Sequence, residues 1–183
     1  AERGYVLVAA DYSQIELRLI AQIAKVRRMM QAFRNGEDIH AATAAEIWNV
    51  PLEKVTKEQR YSAKTINFGL LYGMGQNSLA AGTGMSGPEA REFIQRYFDV
   101  YPEIRDYMDQ TKALAATQGY VETLFGRRRY LPEIRSGVGA VRAAAERMAI
   151  NAPIQGTAAD LIKLATTSIH DWIAKEFGLE SNA

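Results

Sequence analysis

The chain has 183 residues, with 22 Lys and Arg against 21 Asp and Glu and a formal net charge of +1 at pH 7. A hydrophobic share of 48% with 23% charged residues is typical of a globular domain and excludes a disordered chain. No apolar run approaches the roughly 20 residues that a membrane-spanning helix needs. The absence of cysteine excludes disulfides and thiolate chemistry, and with only His40 and His170 as histidines a histidine-rich zinc site is not expected.

The near-neutral total hides two basic segments. Residues 127–147 carry a local excess of +4, and residues 54–64 carry an excess of +3. Basic clusters attract phosphates, although a single basic run is more often a solvated helix face. The spacing of the residues must therefore separate the two interpretations.

The apolar segment YVLVAA at residues 5–10 predicts a buried strand. A buried strand needs neighbours for its backbone groups, and no second strand of equal quality follows. We therefore expect the sequence to be an excerpt from a longer protein, with partner strands outside it.

The remaining chain predicts an α+β fold that is predominantly helical. Tyr120–Leu124 and Arg128–Pro132 flank a Phe-Gly-Arg turn and predict a hairpin. Thr56 and Gln59 form a capping-box pattern that starts a helix, with Gly73 suited to a left-handed stop. The glycine-rich segment 75–87 predicts a loop, and Pro153 is expected to interrupt the last helical region. The predicted helices are 13–25, 39–48, 57–71, 88–100, 102–118, 140–151 and 157–177.

Four side chains on the capped helix share one face. Arg60, Lys64, Phe68 and Tyr72 are each four residues apart, so they drift by about 40° per step and fall within an arc of about 120°. Two cations followed by two aromatic rings suit the polyphosphate and the sugar or base of a nucleoside triphosphate, with Asn67 beside them. An isolated pattern of this kind is more often a core face with two solvated cations.

The string RYSAKTINFGLLYG around this face resembles the fingers-helix motif of family A DNA polymerases. The resemblance implies that Arg60 and Lys64 bind the triphosphate of the incoming nucleotide. It also implies that Phe68 stacks beside the sugar and base, and that Tyr72 lies near the templating position.

A second string, VAADYSQIELR, is similar to the first palm motif of the same family. The resemblance implies that Asp11 is a catalytic carboxylate that ligates two Mg²⁺ ions, and that the backbone carbonyl of Tyr12 completes a metal site. Left to itself, an aspartate at a strand end is usually a helix cap. Magnesium favours carboxylates, carbonyls and phosphates, which suits this position.

Two further residues take roles from the resemblance. Glu16 corresponds to a steric gate that excludes a ribose 2′-hydroxyl by clash; by itself it would be a surface residue, structurally paired with Arg18. His40, in EDIHAATA, matches a histidine that touches the nucleotide phosphates, while its alternative is a histidine on a helix surface.

A third string, AAERMAINAPIQGTAAD, also resembles the family. The resemblance implies that Arg147, Asn151 and Gln155 contact primer-template DNA, where donor side chains can check pairing through minor-groove acceptors without reading sequence. The alternative is a polar helix face. The arginines of the hairpin suit backbone phosphates.

The family's second catalytic carboxylate lies in a His-Asp pair on a β-hairpin. His170 and Asp171 form such a pair, but the residues around them have a helical apolar pattern, so we predict a surface helix pair. The true second carboxylate is then expected beyond the sequence, and the fragment alone is expected to be inactive.

The resemblance implies a polymerase fingers subdomain with part of the palm. Residues 1–25 would be palm, about 26–135 mainly fingers and about 136–183 a return to the palm. The implied partners are primer-template DNA, dNTP, Mg²⁺ and the rest of the polymerase chain, with no membrane, in the bacterial cytoplasm. Two alternatives stay open: a single-subunit RNA polymerase fragment, against which Glu16 argues, and a non-catalytic helical nucleic-acid-binding module.

Overall fold

The computed structural model describes residues 9–70 and 72–178. The strand predicted at residues 5–10 lies largely outside the described residues. The helices and strands, in chain order, are α1 (Ile15–Ile23), α2 (Arg27–Arg34), α3 (Ile39–Trp48), α4 (Lys57–Gly69), α5 (Gln76–Thr83), α6 (Gly87–Val100), α7 (Pro102–Gln118), β1 (Tyr120–Glu122), β2 (Arg128–Tyr130) and α8 (Gly139–Phe177), with short 3-10 helices at Leu52–Lys54 and Pro132–Arg135. The architecture is therefore α+β and mostly helical, as the sequence predicts.

Side-chain caps define where several helices begin. The Thr56 hydroxyl accepts from the Gln59 amide, and the Gln59 side chain accepts from the Thr56 amide, so the predicted capping box of α4 is confirmed. Ser86 and Glu89 form an equivalent box at α6. The Asp38 carboxylate caps α3 by accepting from the amides of His40 and Ala41.

The hairpin is confirmed, with Tyr120 opposite Tyr130, Val121 opposite Arg129 and Glu122 opposite Arg128 in an antiparallel register. Gly119, with φ of 82°, ends α7 in the left-handed region. Within residues 9–70 and 72–178, no helix combines the length and apolar character that crossing a membrane requires.

Two predicted boundaries are wrong. Residues 75–87 do not form a continuous loop, because α5 lies within them and buries Leu79 completely. Pro153 does not interrupt α8, which runs unbroken for 39 residues. A proline costs a helix one backbone hydrogen bond, but Ile150, Ile154 and Thr157 are buried on both sides of it, so tertiary packing outweighs that loss. Helix α2 was not predicted.

The helices pack around two apolar clusters. The larger cluster joins α1 to α7 with the middle of α8, and the smaller one lies between the end of α7, the hairpin and the first part of α8. Helix α3 lies along α4, and both α1 and α7 lie against α8. This packing places the C-terminal end of α4, the start of α1 and the middle of α8 next to one another.

Candidate functional site

The four-residue spacing on α4 produces the predicted face. Arg60 and Lys64 are exposed, Phe68 is half-buried, and Tyr72 is 42% exposed. Tyr72 follows the end of α4, but its amide donates to the Phe68 carbonyl, so the turn continues past Gly69. We call Arg60, Lys64, Phe68 and Tyr72 the α4 face.

Arg60 is held at the N-terminal end of this face by an ion pair. Its Nε and Nη2 donate to Oδ2 of Asp38 at 2.9 and 2.6 Å. Partial burial alone would raise the pKa of Asp38, but hydrogen bonds from Arg60 and from two backbone amides outweigh burial and lower it. Sequence reasoning missed Asp38, although an aspartate directly before an apolar helix is a recognisable cap signal.

His40 is buried, with 2% of its surface exposed, so the alternative of a helix-surface histidine is wrong. Its ring lies 5.6 Å from the ring of Phe68, and its Nδ1 is 3.2 Å from Nδ2 of Asn67. Burial lowers the pKa of His40, Asp38 opposes that shift, and the cations Arg60 and Lys64 add to it. Burial and the charges of Arg60 and Lys64 therefore favour the neutral imidazole.

The C-terminal end of the α4 face meets α1. The Tyr72 hydroxyl donates to Oε2 of Glu16, 56 positions earlier in the chain. Partial burial and this contact with a carboxylate raise the pKa of Tyr72. The predicted pairing of Glu16 with Arg18 is wrong, because Nε of Arg18 donates to the Ser13 carbonyl at 3.0 Å and its guanidinium lies 4.5 Å from the Phe33 ring centre.

Asp11 and Tyr12 lie just before α1 and are exposed. They line a cavity of about 330 Å³ together with Ile162 and Ile169 of α8. No group of three or more His, Cys, Asp or Glu side chains placed to hold a metal is found in the described part of the chain. One exposed carboxylate followed by a carbonyl fits Mg²⁺, which keeps several waters and takes one or two carboxylates plus substrate phosphates. This pair of ligands does not fit an ion that needs to be enclosed by side chains.

The third predicted group lies on α8 and adjoins the same end of the α4 face. Gly73 has φ of 74°, and a Cβ added there would lie 2.3 Å from Cδ of Arg147, so the chain passes directly against this arginine. Gln155 is exposed and lines a cavity of about 390 Å³ together with Asn151 and Arg129. Asn151 is half-buried, and its Oδ1 is enclosed without a hydrogen-bond partner among the residues described. Arg147, Asn151 and Gln155 thus follow one side of α8, because α8 stays helical through Pro153.

The hairpin arginines are largely paired within the chain. Nε of Arg127 donates to Oδ1 of Asp160 at 2.9 Å, and Nε of Arg128 donates to Oε1 of Glu122 at 2.7 Å. Among the residues that the structure describes, Arg129 reaches only the Met148 sulfur, at 3.7 Å. Of these three arginines, Arg129 therefore has the least compensated charge for a phosphate.

The His170–Asp171 pair lies on α8 with both side chains exposed, and Nδ1 of His170 is 3.5 Å from Oδ1 of Asp171. The prediction of a surface helix pair is confirmed. It lies on a helix, not on a hairpin.

The comparisons with known proteins agree with the motifs. The sequence profile described as DNA polymerase family A matches residues 1–182. DNA polymerase I of Pseudomonas aeruginosa is 56% identical over 181 residues, which are 99% of this chain and 20% of that protein. The thermostable DNA polymerase I of Thermus aquaticus is 49% identical over 169 residues, covering 92% of this chain and 20% of that protein.

A solved structure with the same fold is the POL domain of Pol1 from M. smegmatis in complex with DNA primer-template and dNTP. It matches with a TM-score of 0.86 at 43% identity, over 93% of this chain and 30% of that one. The chain spans about a fifth of the length of the curated relatives it matches.

Proposed function

This chain belongs to DNA polymerase family A, and on that premise we propose that it is the nucleotide-binding part of an enzyme for template-directed DNA synthesis. The reaction is nucleotidyl transfer from a dNTP to a primer 3′-hydroxyl. The observation that carries the proposal is the meeting of all three motif strings at the C-terminal end of the α4 face: Glu16 of the first string accepts a hydrogen bond from Tyr72, and Arg147 of the third lies directly against Gly73.

The α4 face would bind the incoming nucleotide. Lys64 and Arg60 would hold the triphosphate, with Arg60 exchanging its Asp38 partner for phosphate oxygens, and His40 would donate to the same phosphates. Phe68 would stack against the sugar and base, and Tyr72 would lie at the templating position. Cations fixed beside the leaving pyrophosphate stabilise the charge that develops during phosphoryl transfer.

Asp11 and the Tyr12 carbonyl would hold Mg²⁺. Two such ions, when bound, activate the primer 3′-hydroxyl and neutralise the leaving phosphates. The chain's own contribution is to place a carboxylate just before α1, five residues ahead of Glu16, which would face the sugar. Asp11 is the one carboxylate that we assign to the metals, so we propose that this fragment is inactive alone and that a second carboxylate comes from the rest of the polymerase.

Arg147, Asn151 and Gln155 would contact primer-template DNA. They lie on one side of α8, and Arg147 lies against Gly73, next to Tyr72, where the nascent pair would form. Minor-groove acceptors are present on every base pair.

The proposed subdomains follow the motifs. Residues 1–25 and about 136–183 would belong to the palm, and about 26–135 mainly to the fingers. The packing of α1 on α8 supports the first two as one unit. A place in the bacterial cytoplasm stays a prediction from the resemblance.

Replacing Glu16 by alanine tests the proposed function against an RNA polymerase. In the intact polymerase, Glu16→Ala should lower discrimination between dNTP and rNTP by at least about tenfold, because the side chain that clashes with the 2′-hydroxyl is gone. The measurement is the ratio of kcat/KM for the two nucleotides in single-nucleotide extension.

Glu16→Gln is the matched control for that experiment. It keeps the bulk of the side chain and an oxygen that can accept from Tyr72, so discrimination should stay near the wild-type level. Unchanged discrimination in Glu16→Ala would place the gate elsewhere. Lower discrimination in both variants would show that the charge of the Glu16 side chain, not its size, selects the sugar.

Asp171→Asn in the intact polymerase should leave DNA synthesis within about twofold of the wild type, because the side chain is 74% exposed on α8 and, within residues 9–70 and 72–178, pairs only with His170. Primer extension at saturating dNTP measures this. A folded but inactive variant would make the pair catalytic and contradict the assignment of the second carboxylate to another part of the polymerase.

A further inference from the structure

A buried polar network joins α3 to α4 behind the α4 face. Its members are Thr43, Asn67 and His40, with 0%, 0% and 2% exposure, and Tyr101 at the start of α7. Buried polar groups of this kind must satisfy one another, so their protons can be assigned one by one.

The assignment begins at Thr43. Its hydroxyl is 2.8 Å from the Ile39 carbonyl, which can only accept, so the single Thr43 proton goes there. The Thr43 oxygen must then accept from its other neighbours. These are Nδ2 of Asn67 at 3.0 Å and the Tyr101 hydroxyl at 3.1 Å, while Oδ1 of Asn67 lies farther away, at 3.4 Å.

The orientation of the Asn67 amide follows from this requirement. The nearer end of the amide to the Thr43 oxygen is its NH₂ group, and the second proton of that group points at Nδ1 of His40, 3.2 Å away. Nδ1 therefore accepts and carries no proton. In a neutral imidazole the proton then lies on Nε2.

Nε2 of His40 has no hydrogen-bond partner among residues 9–70 and 72–178. The fully enclosed polar atoms without partners there are Asn151 Oδ1 and Asp160 Oδ2, so Nε2 retains access to solvent. Burial lowers the pKa of His40, and the charges of Arg60 and Lys64 lower it further while Asp38 opposes them. Tyr101, whose pKa burial raises to about 12, stays protonated in the working range.

We propose that Thr43 and Asn67 are positioning residues that fix His40 as the Nε2–H tautomer, so that its free N–H donates to a phosphate oxygen of the nucleotide. A neutral donor serves this place well, because an imidazolium would repel Arg60 and Lys64 when no nucleotide is bound. The inference rests on the proposed function for the identity of the ligand, but the tautomer is a property of the chain itself.

The first test is spectroscopic and needs no nucleotide. Long-range ¹H–¹⁵N correlation spectra of the intact polymerase, labelled with ¹⁵N-histidine, report which ring nitrogen is protonated, and His40→Leu assigns the signal. We expect a protonated Nε2 and an unprotonated Nδ1 in the wild type, and a mixture of tautomers in Thr43→Val. A wild-type proton on Nδ1 would overturn the inference.

The second test is the dissociation constant for dNTP in pre-steady-state incorporation. Thr43→Val keeps the shape but removes the hydroxyl, and should raise this constant about fivefold. Thr43→Ser keeps the hydroxyl but loses the methyl group, and should restore wild-type affinity. If Thr43 served packing alone, the serine variant would be the worse of the two.

Two controls separate the possible failures. Thr65→Val on α4 removes an equivalent bond to a backbone carbonyl, that of Tyr61 at 3.0 Å, without touching the network, and should leave affinity unchanged. If Thr43 acts through His40, adding Thr43→Val to the His40→Leu variant should not weaken dNTP affinity further. If Thr43→Val weakens affinity as much in His40→Leu as it does in the wild type, the positioning role is overturned. Wild-type affinity in His40→Leu would instead overturn the phosphate role of His40 in the proposed function, whatever the tautomer.

Discussion

Asp11→Asn in the intact polymerase should reduce Mg²⁺-dependent DNA synthesis by about a thousandfold or more. The substitution removes the charge of the carboxylate that we assign to the metals, while the exposed position before α1 leaves the fold unaffected. Charge stabilisation by a bound metal contributes several kcal/mol to the transition state, and about 1.4 kcal/mol corresponds to each tenfold in rate. Single-turnover extension across a magnesium titration measures the loss.

Asp171→Asn is the matched control, because it makes the same exchange at another exposed aspartate. We expect a large loss of DNA synthesis in Asp11→Asn and none in Asp171→Asn. The melting temperatures of both variants should be unchanged. Activity near the wild-type level in Asp11→Asn would refute the metal assignment. Recovery of full activity at high magnesium would show a role in metal affinity alone.

Lys64→Ala should lower nucleotide incorporation by about a hundredfold or more, while affinity for primer-template DNA stays within about twofold of the wild type. Arg60 is paired with Asp38, whereas Lys64 forms no ion pair within the described part of the chain. Lys64 is thus the α4-face cation available to phosphates without breaking an internal bond. Removing one fixed hydrogen-bond donor to a developing oxyanion typically lowers kcat by roughly a hundredfold to a thousandfold.

The comparison variant is Lys54→Ala, which removes the same charge from the same basic segment but outside the α4 face. Its incorporation rate should match the wild type. Equal losses in both variants would indicate a general attraction for DNA or nucleotide, and the salt dependence of DNA binding would then change as well. Unchanged incorporation in Lys64→Ala would remove Lys64 from the site.

Local elements were the most predictable part of the fold. The capping box at Thr56, the left-handed stop at Gly73 and the hairpin depend on neighbouring residues, and the structure contains all three. The errors have a common cause, because tertiary packing outweighed a local signal. Burial of Leu79 sustains α5 in a glycine-rich segment, and burial on both sides of Pro153 keeps α8 unbroken.

The sequence by itself determined that two cations and two rings share one face of α4, because a four-residue step repeats at nearly the helical period. Only the tertiary structure decided what that face meets. The pairing of Arg60 with Asp38, the contact of Tyr72 with Glu16 and the burial of His40 against Asn67 join residues 22 to 56 positions apart. Such contacts depend on how whole helices pack, and no local periodicity encodes them.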